Sequence, residues 1–189
     1  MLIFGSGVTD MVKQMGFVFN VDLCIGCKAC EIACRNENQT TVRWRRVSHL
    51  TDETFLSISC NHCSSPECFR VCPENAFTKR GDGIVQIHSS LCTGCGLCIA
   101  ACPFDVPQFD PELHKVSKCQ MCYPRQDKGL LPACVEACST GALNIKNLND
   151  FFSDDIVETI PGFPDIRLTE PSIVFYPAKN RQRYFLQEK

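Results

Sequence analysis

The residues of this chain best suited to chemistry are its cysteines, sixteen in 189 residues. Four of them lie in the run CTGCGLCIAACP, which ends in Pro103 and has the CxxCxxCxxxCP spacing typical of [4Fe–4S] binding. Three closely spaced thiolates let a tight loop wrap three corners of one cluster. The fourth thiolate lies about one helical turn further on, where it ligates a neighbouring cluster in proteins that hold two. The run therefore predicts a second run nearby.

The cysteines fall into four blocks, and none is left over. Every block reads CxxC, a gap, then CxxxC, with gaps of 2, 4, 2 and 11 residues. This repetition indicates duplication of one metal-binding unit. The blocks are Cys24, Cys27, Cys30 and Cys34 (block one), Cys60, Cys63, Cys68 and Cys72 (block two), Cys92, Cys95, Cys98 and Cys102 (block three), and Cys119, Cys122, Cys134 and Cys138 (block four).

Three chemistries would use sixteen cysteines. Disulfides need an oxidising compartment and give no reason for a CxxCxxCxxxC run. Four structural zinc sites would pair one CxxC with another, but they explain neither the third cysteine nor the proline that follows the last one. Four [4Fe–4S] clusters explain every spacing, so we expect four such clusters.

The pairing of the blocks is open from spacing alone, since four blocks that exchange their last cysteines can pair in three ways. Blocks two and three both end in Cys-Pro, at Pro73 and Pro103, whereas blocks one and four do not. This favours pairing block two with block three and block one with block four.

The elements that position these blocks are predicted to be short, giving an α+β fold of two intertwined ferredoxin-like modules. Gly-containing and Pro-containing turns predict two hairpins. The predicted strands are 17–21, 54–59, 76–79 with 84–88, 106–109 with 115–118, and 142–145, and the predicted helices are 30–36 and 131–138.

We divide the chain into an N-terminal extension (1–15), a four-cluster domain (16–148) and a proline-rich C-terminal arm (149–189). Proline at this density favours extended backbone. Two positions are open for the arm: it packs back on its own domain, or the segment Leu168 to Pro177 lies along a partner subunit. Met1, Met11 and Met15 are alternative translation starts.

Composition excludes several classes of function. A net charge of −2 provides no field for nucleic acid or an anionic membrane, and no apolar run is long enough to span a bilayer. The N-terminal sequence lacks the basic region and twin arginine of export signals. The sequence has no nucleophile–base set, Walker A loop or GxGxxG run, so we expect catalysis to come from another protein.

Four segments resemble the iron–sulfur subunit of the dimethyl sulfoxide reductase class of molybdopterin oxidoreductases, over Gly16 to about Pro177. They are GFVFNVDLCIGCKACEIACRNEN, NHCSSPECFRVCPENAFTKRGDGIV, CTGCGLCIAACPFDVPQFD and KCQMCYPRQDKGLLPACVEACSTGAL. The resemblance implies four ligand sets: Cys24, Cys27, Cys30 and Cys138 (set one); Cys34, Cys119, Cys122 and Cys134 (set two); Cys60, Cys63, Cys68 and Cys102 (set three); and Cys72, Cys92, Cys95 and Cys98 (set four).

The resemblance also implies a function. The chain would relay electrons between a quinol-oxidising membrane anchor and a large molybdopterin-containing catalytic subunit of an anaerobic respiratory reductase, without being catalytic itself. It would be membrane-associated through a partner, at the cytoplasmic face or co-exported. One alternative is a polyferredoxin subunit of a hydrogenase or formate dehydrogenase system, and another is a non-redox zinc scaffold.

Charged neighbours of the cysteines are candidates for tuning cluster potentials, with solvated surface as the alternative for each. They are Lys28, Glu31, Arg35, Lys118, Arg125 and Glu136. His62 is not expected to ligate iron, because four cysteines per cluster fill the sites. Trp44, flanked by arginines, is expected to lie on a packed or exposed strand.

Overall fold

The computed structural model describes residues 13–50 and 54–179, and these residues form an α+β fold of short elements. The strands are β1 (Met15–Asn20), β2 (Arg46–His49), β3 (Phe55–Ile58), β4 (Phe77–Lys79), β5 (Val85–Ile87), β6 (Gln108–Asp110), β7 (Lys115–Ser117), β8 (Leu143–Asn147) and β9 (Ile173–Tyr176). The helices are α1 (Ala29–Asn38), α2 (Glu67–Arg70), α3 (Leu97–Ala100), α4 (Tyr123–Gln126) and α5 (Ala133–Glu136). Apart from α1, each helix is a single turn of four residues. The predicted strands and helices are thereby confirmed, with shifts of a few residues at their ends.

A three-stranded sheet in the order β8-β1-β9 forms the centre of the main core. Strand β1 pairs antiparallel with β8 and parallel with β9, so that Phe17 lies opposite Ile145 on one side and Ile173 on the other. Four consecutive residues of β1 are buried, which is expected of a central strand covered on both faces. The largest fully buried side chains of the core are Phe17 and Phe19 of β1 and Phe175 of β9.

Strand β9 bears on the two positions predicted for the segment 168–177. Ile173 and Phe175 are 2% and 0% exposed, and the backbone of β9 bonds to β1 of the same chain. The strand therefore packs on its own domain, and a contact of the segment with a partner stays a prediction. The domain boundaries at 15/16 and 148/149 stay predictions. Of the alternative starts, Met15 is the first residue of β1, while Met1 and Met11 lie outside the described residues.

Three two-stranded hairpins complete the fold: β2–β3, β4–β5 and β6–β7. The second and third were predicted from their turn residues. Gly83 in the β4–β5 turn has φ +83°, and a Cβ atom there would lie 2.4 Å from the Gln14 side chain. Only glycine fits both the left-handed backbone and this close approach.

Candidate iron–sulfur sites

The helices bring the cysteine blocks together in pairs. Helix α1, from block one, packs against α5, from block four, and α2, from block two, packs against α3, from block three. Each of these helices carries the third cysteine of its block, and the fourth lies in the same helix or just beyond its end. The last two cysteines of one block therefore face those of the paired block.

Set three surrounds a single cavity. Cys60, Cys63, Cys68 and Cys102 all line it, together with apolar residues such as Val106 and Phe104. Burial first, and then the charge of Cys60, raise the pKa values of the Cys63 and Cys68 thiols to about 12. Four cysteines this close and this buried can all be thiolates only with a cationic group among them.

Set four surrounds a second cavity. Cys72, Cys92, Cys95 and Cys98 line it with Phe77 and Val116. Burial, together with the charges of Cys92, Cys95 and Cys72, raises the pKa of Cys98 to about 11. The loop that carries the first two of block three's cysteines turns at Gly94, where a Cβ atom would lie 2.4 Å from the His114 carbonyl oxygen.

Sets one and two are likewise drawn together. Burial raises the pKa of the Cys24 thiol, and the charges of Cys30, Cys138 and Cys27 raise it further. Burial also raises the pKa of Cys34, and there the neighbouring thiolates are Cys119, Cys134 and Cys122. In both cases the neighbouring thiolates are the other three members of the set.

The cysteine sulfurs accept hydrogen bonds, as the thiolate ligands of a cluster do. Four are backbone bonds of 3.3–3.5 Å, which run from the amides of His62, Ala76, Val116 and Met121 to Cys60, Cys72, Cys92 and Cys119. The donor set thus fits [4Fe–4S] clusters: four thiolates, a shared cavity and donors aimed at sulfur. No group of three or more His, Cys, Asp or Glu residues within 13–50 and 54–179 has the arrangement for a single metal ion.

Comparison with known proteins agrees with this chemistry. Residues 51–148 match the model of a 4Fe-4S dicluster domain, and residues 17–37 match that of a 4Fe-4S binding domain. The sequence is 35% identical to a chain of the anaerobic dimethyl sulfoxide reductase of Haemophilus influenzae, over 89% of this chain and 91% of the relative. The corresponding Escherichia coli protein is also 35% identical, over 90% of this chain and 92% of the relative.

This chain belongs to the family of iron–sulfur subunits of dimethyl sulfoxide reductase-type oxidoreductases. It is an electron-transfer subunit, and its sixteen cysteines match four [4Fe–4S] clusters. Another relative matches over a shorter stretch. A subunit of the tetrathionate reductase of Salmonella typhimurium is 41% identical over 67% of this chain and 55% of the relative. The zinc-scaffold alternative has no support in these comparisons.

The iron–sulfur subunit buries two of the predicted tuning residues. Glu31 is 8% exposed and accepts hydrogen bonds from the Val47 amide and from Arg43, which fixes α1 to the β2 segment. Lys118 is 2% exposed and donates to the carbonyl oxygens of Val85 and Cys119. The solvated-surface alternative is wrong for both.

The other four predicted tuning residues are more accessible. Lys28, Arg35 and Glu136 are exposed. Arg125 is partly buried and forms ion pairs with Glu37 and Glu136, so its charge is already compensated.

His62 is fully buried beside set three. Burial lowers the pKa of its imidazole well below the ordinary value, and Nδ1 accepts a hydrogen bond of 3.0 Å from the Val85 amide. This leaves the ring neutral with its proton on Nε2. Trp44 lies in a bend just before β2 and not in a strand as predicted, is partly buried, and donates from Nε1 to Ser117 Oγ at 2.9 Å.

Sequence reasoning missed Arg45. It stands in the run RWRR between two other arginines, and only a strand-like alternation of inward and outward residues distinguishes it. Its side chain is 2% exposed, whereas the exposed Arg43 pairs with Glu31 and Arg46 reaches Asp105 at the surface.

Proposed function

We propose that each of the four ligand sets holds one [4Fe–4S] cluster, so that each of the two modules holds two. One module joins blocks one and four, the other joins blocks two and three, and an arm begins at residue 149 and returns at β9. The packing of α1 on α5 and of α2 on α3 carries this proposal, and for the second pair cysteines of both blocks surround each of the two cavities.

The clusters form one path for electrons in the order one, two, three, four. The charge of Cys30 of set one acts on Cys134 of set two, and the charge of Cys119 of set two acts on Cys60 of set three. Sets three and four share the α2–α3 pair. A bound cluster changes its charge by one electron at a time, and the protein supplies the spacing.

Both ends of this path reach the surface. Cys27 of set one and Cys95 of set four are the exposed cysteines, and exposed apolar residues lie beside both. Ile25 is 63% exposed beside the first, and Leu97 is 51% exposed beside the second. An apolar rim around a redox centre suits a protein partner that excludes water from the electron's route.

We further propose that the two partners are a molybdopterin-containing catalytic subunit and a quinol-oxidising membrane anchor, as in an anaerobic respiratory reductase. The near end-to-end match to the dimethyl sulfoxide reductase chains supports this. Among the described residues no helix is long and apolar enough to cross a membrane. Attachment to the membrane would accordingly run through the anchor.

The alternative is a subunit of a formate dehydrogenase system. The Escherichia coli formate dehydrogenase-O iron-sulfur subunit is 33% identical, but the match covers only 64% of that relative. Purification of the native complex separates the two functions. We expect a molybdopterin protein that reduces a sulfoxide or a sulfur oxyanion, and a partner that oxidises formate would favour the alternative.

The ligand sets are tested by two serine variants in one block. Cys98→Ser and Cys102→Ser lie four residues apart, but the proposal puts Cys98 in set four and Cys102 in set three. Electron paramagnetic resonance of the reduced complex should show that each variant alters a different cluster. Loss of the same cluster in both would refute the assignment.

A further inference from the structure

Arg45 is a buried cation without a carboxylate partner. Its guanidinium lies over the Phe17 ring, with Cζ 4.6 Å from the ring centroid. Nη1 donates to Ser57 Oγ at 3.0 Å, and Nη2 donates to Ser59 Oγ at 2.7 Å. Within residues 13–50 and 54–179, no ion pair involves Arg45 and no acceptor pairs with its buried Nε.

The negative charges available to it are cysteine thiolates. Burial alone would lower the pKa of the Arg45 guanidinium, yet the charges of Cys134, Cys119 and Cys30 raise it. These thiolates belong to sets one and two, so the charge of Arg45 acts on ligands of both sets. A buried charge without a partner is strongly unfavourable, and negatively charged clusters would compensate this one.

Ser57 connects Arg45 to a specific sulfur. Ser57 Oγ lies 3.3 Å from Cys30 Sγ, and the hydroxyl accepts its other hydrogen bond from Arg45 Nη1. A cysteine bound to iron as a thiolate can only accept. The Ser57 proton therefore points to Cys30 Sγ, held there by the arginine.

We propose that Arg45 and Ser57 set the reduction potentials of the clusters in sets one and two. This inference rests on the proposed ligand sets. Reduction adds one negative charge to a cluster, and a fixed cation or a hydrogen bond to sulfur stabilises the reduced form. Arg45 raises both potentials, and Ser57 raises that of set one. These are positioning residues, since Arg45 acts on set one partly through Ser57.

The test is a redox titration of the natively purified complex, followed by electron paramagnetic resonance. In Arg45→Met we expect the reduction equilibrium of clusters one and two to fall about tenfold, a shift of about 59 mV for one electron. Ser57→Ala should lower cluster one alone, and by less. Arg45→Lys keeps the charge, so the potentials of clusters one and two should stay close to those of the wild type. A Cys24→Ser variant identifies the signal of cluster one.

Arg46→Met is the matched control, because it removes the same charge from the neighbouring position, where the arginine reaches Asp105 and the surface. Equal shifts in Arg45→Met and Arg46→Met, or none in either, would overturn the inference. If Arg45→Met does not retain its clusters, Ser57→Ala and Arg45→Lys decide. A wild-type complex lacking the four clusters would instead refute the proposed function, whereas four clusters with unchanged potentials would refute only this inference.

Discussion

The two halves of the molecule are stabilised in different ways. The sheet region (β1, α1, α5, β8 and β9) centres on a core of fifteen buried residues among those described, which includes Phe17, Phe19 and Phe175 and which Ile84 of the hairpin region joins. The hairpin region (residues 60–119) has two smaller cores of four residues each, to which Cys60, Cys98 and Cys119 contribute. Cluster ligands are three of the eight residues in these smaller cores but only two of the fifteen in the larger one, so the sheet region depends more on apolar burial.

Removal of iron should have the largest effect and should separate the two regions. We expect the apoprotein to be largely unfolded, because the free energy of metal binding is free energy of folding in such small domains. Hydrogen exchange during chelation should lose protection first in the hairpin region and last in β1, β8 and β9. A retained native circular dichroism spectrum, or simultaneous loss in both regions, would contradict the comparison.

Phe175→Ala should have the next largest effect, because it empties the centre of the sheet region. The side chain is 0% exposed and packs edge-on against Phe163, with ring centroids 4.9 Å apart. Loss of a buried phenylalanine costs about 3–5 kcal/mol. The midpoint of guanidinium unfolding, followed by cluster absorbance under anaerobic conditions, measures this.

Val174→Ala is the control for this variant, since Val174 lies in the same strand and is only partly buried. It should cost clearly less. Equal effects of the two substitutions would mean that β9 does not contribute to the core.

Lys118→Met should have the smallest of these effects, because it changes a potential and leaves the fold in place. Lys118 lines the set three cavity, where its charge favours the reduced cluster. We expect the reduction equilibrium of cluster three to fall about tenfold, about 59 mV, in a redox titration. Lys115→Met is the control, because Lys115 is more exposed and donates to the Ser89 carbonyl. An unchanged potential in Lys118→Met would mean that Lys118 has only a structural role.

The sequence predicted features that depend on neighbours along the chain. The repeated cysteine spacing predicted the four blocks, and the glycines around Asp82 predicted the β4–β5 hairpin. Features that depend on distant residues were harder to predict. The partner of β9 is β1, more than 150 positions earlier. Flanking prolines predicted only that this segment is extended.

Arg45 shows the same limit within the site. In the run RWRR only the alternation of inward and outward residues distinguishes Arg45, and the thiolates that compensate it come from distant positions in α1 and block four. From sequence alone an arginine is predicted to be exposed, because the counter-charge that allows its burial comes from distant parts of the chain. The burial of Lys118 was equally hidden, although its position beside Cys119 had marked it as a candidate.

The central claim is that sixteen cysteines hold four [4Fe–4S] clusters, and metal and sulfide analysis of the anaerobically purified complex tests it most directly. We expect about sixteen iron atoms and about sixteen acid-labile sulfides for each copy of this chain, four of each per cluster. Four zinc ions and no sulfide would contradict the claim.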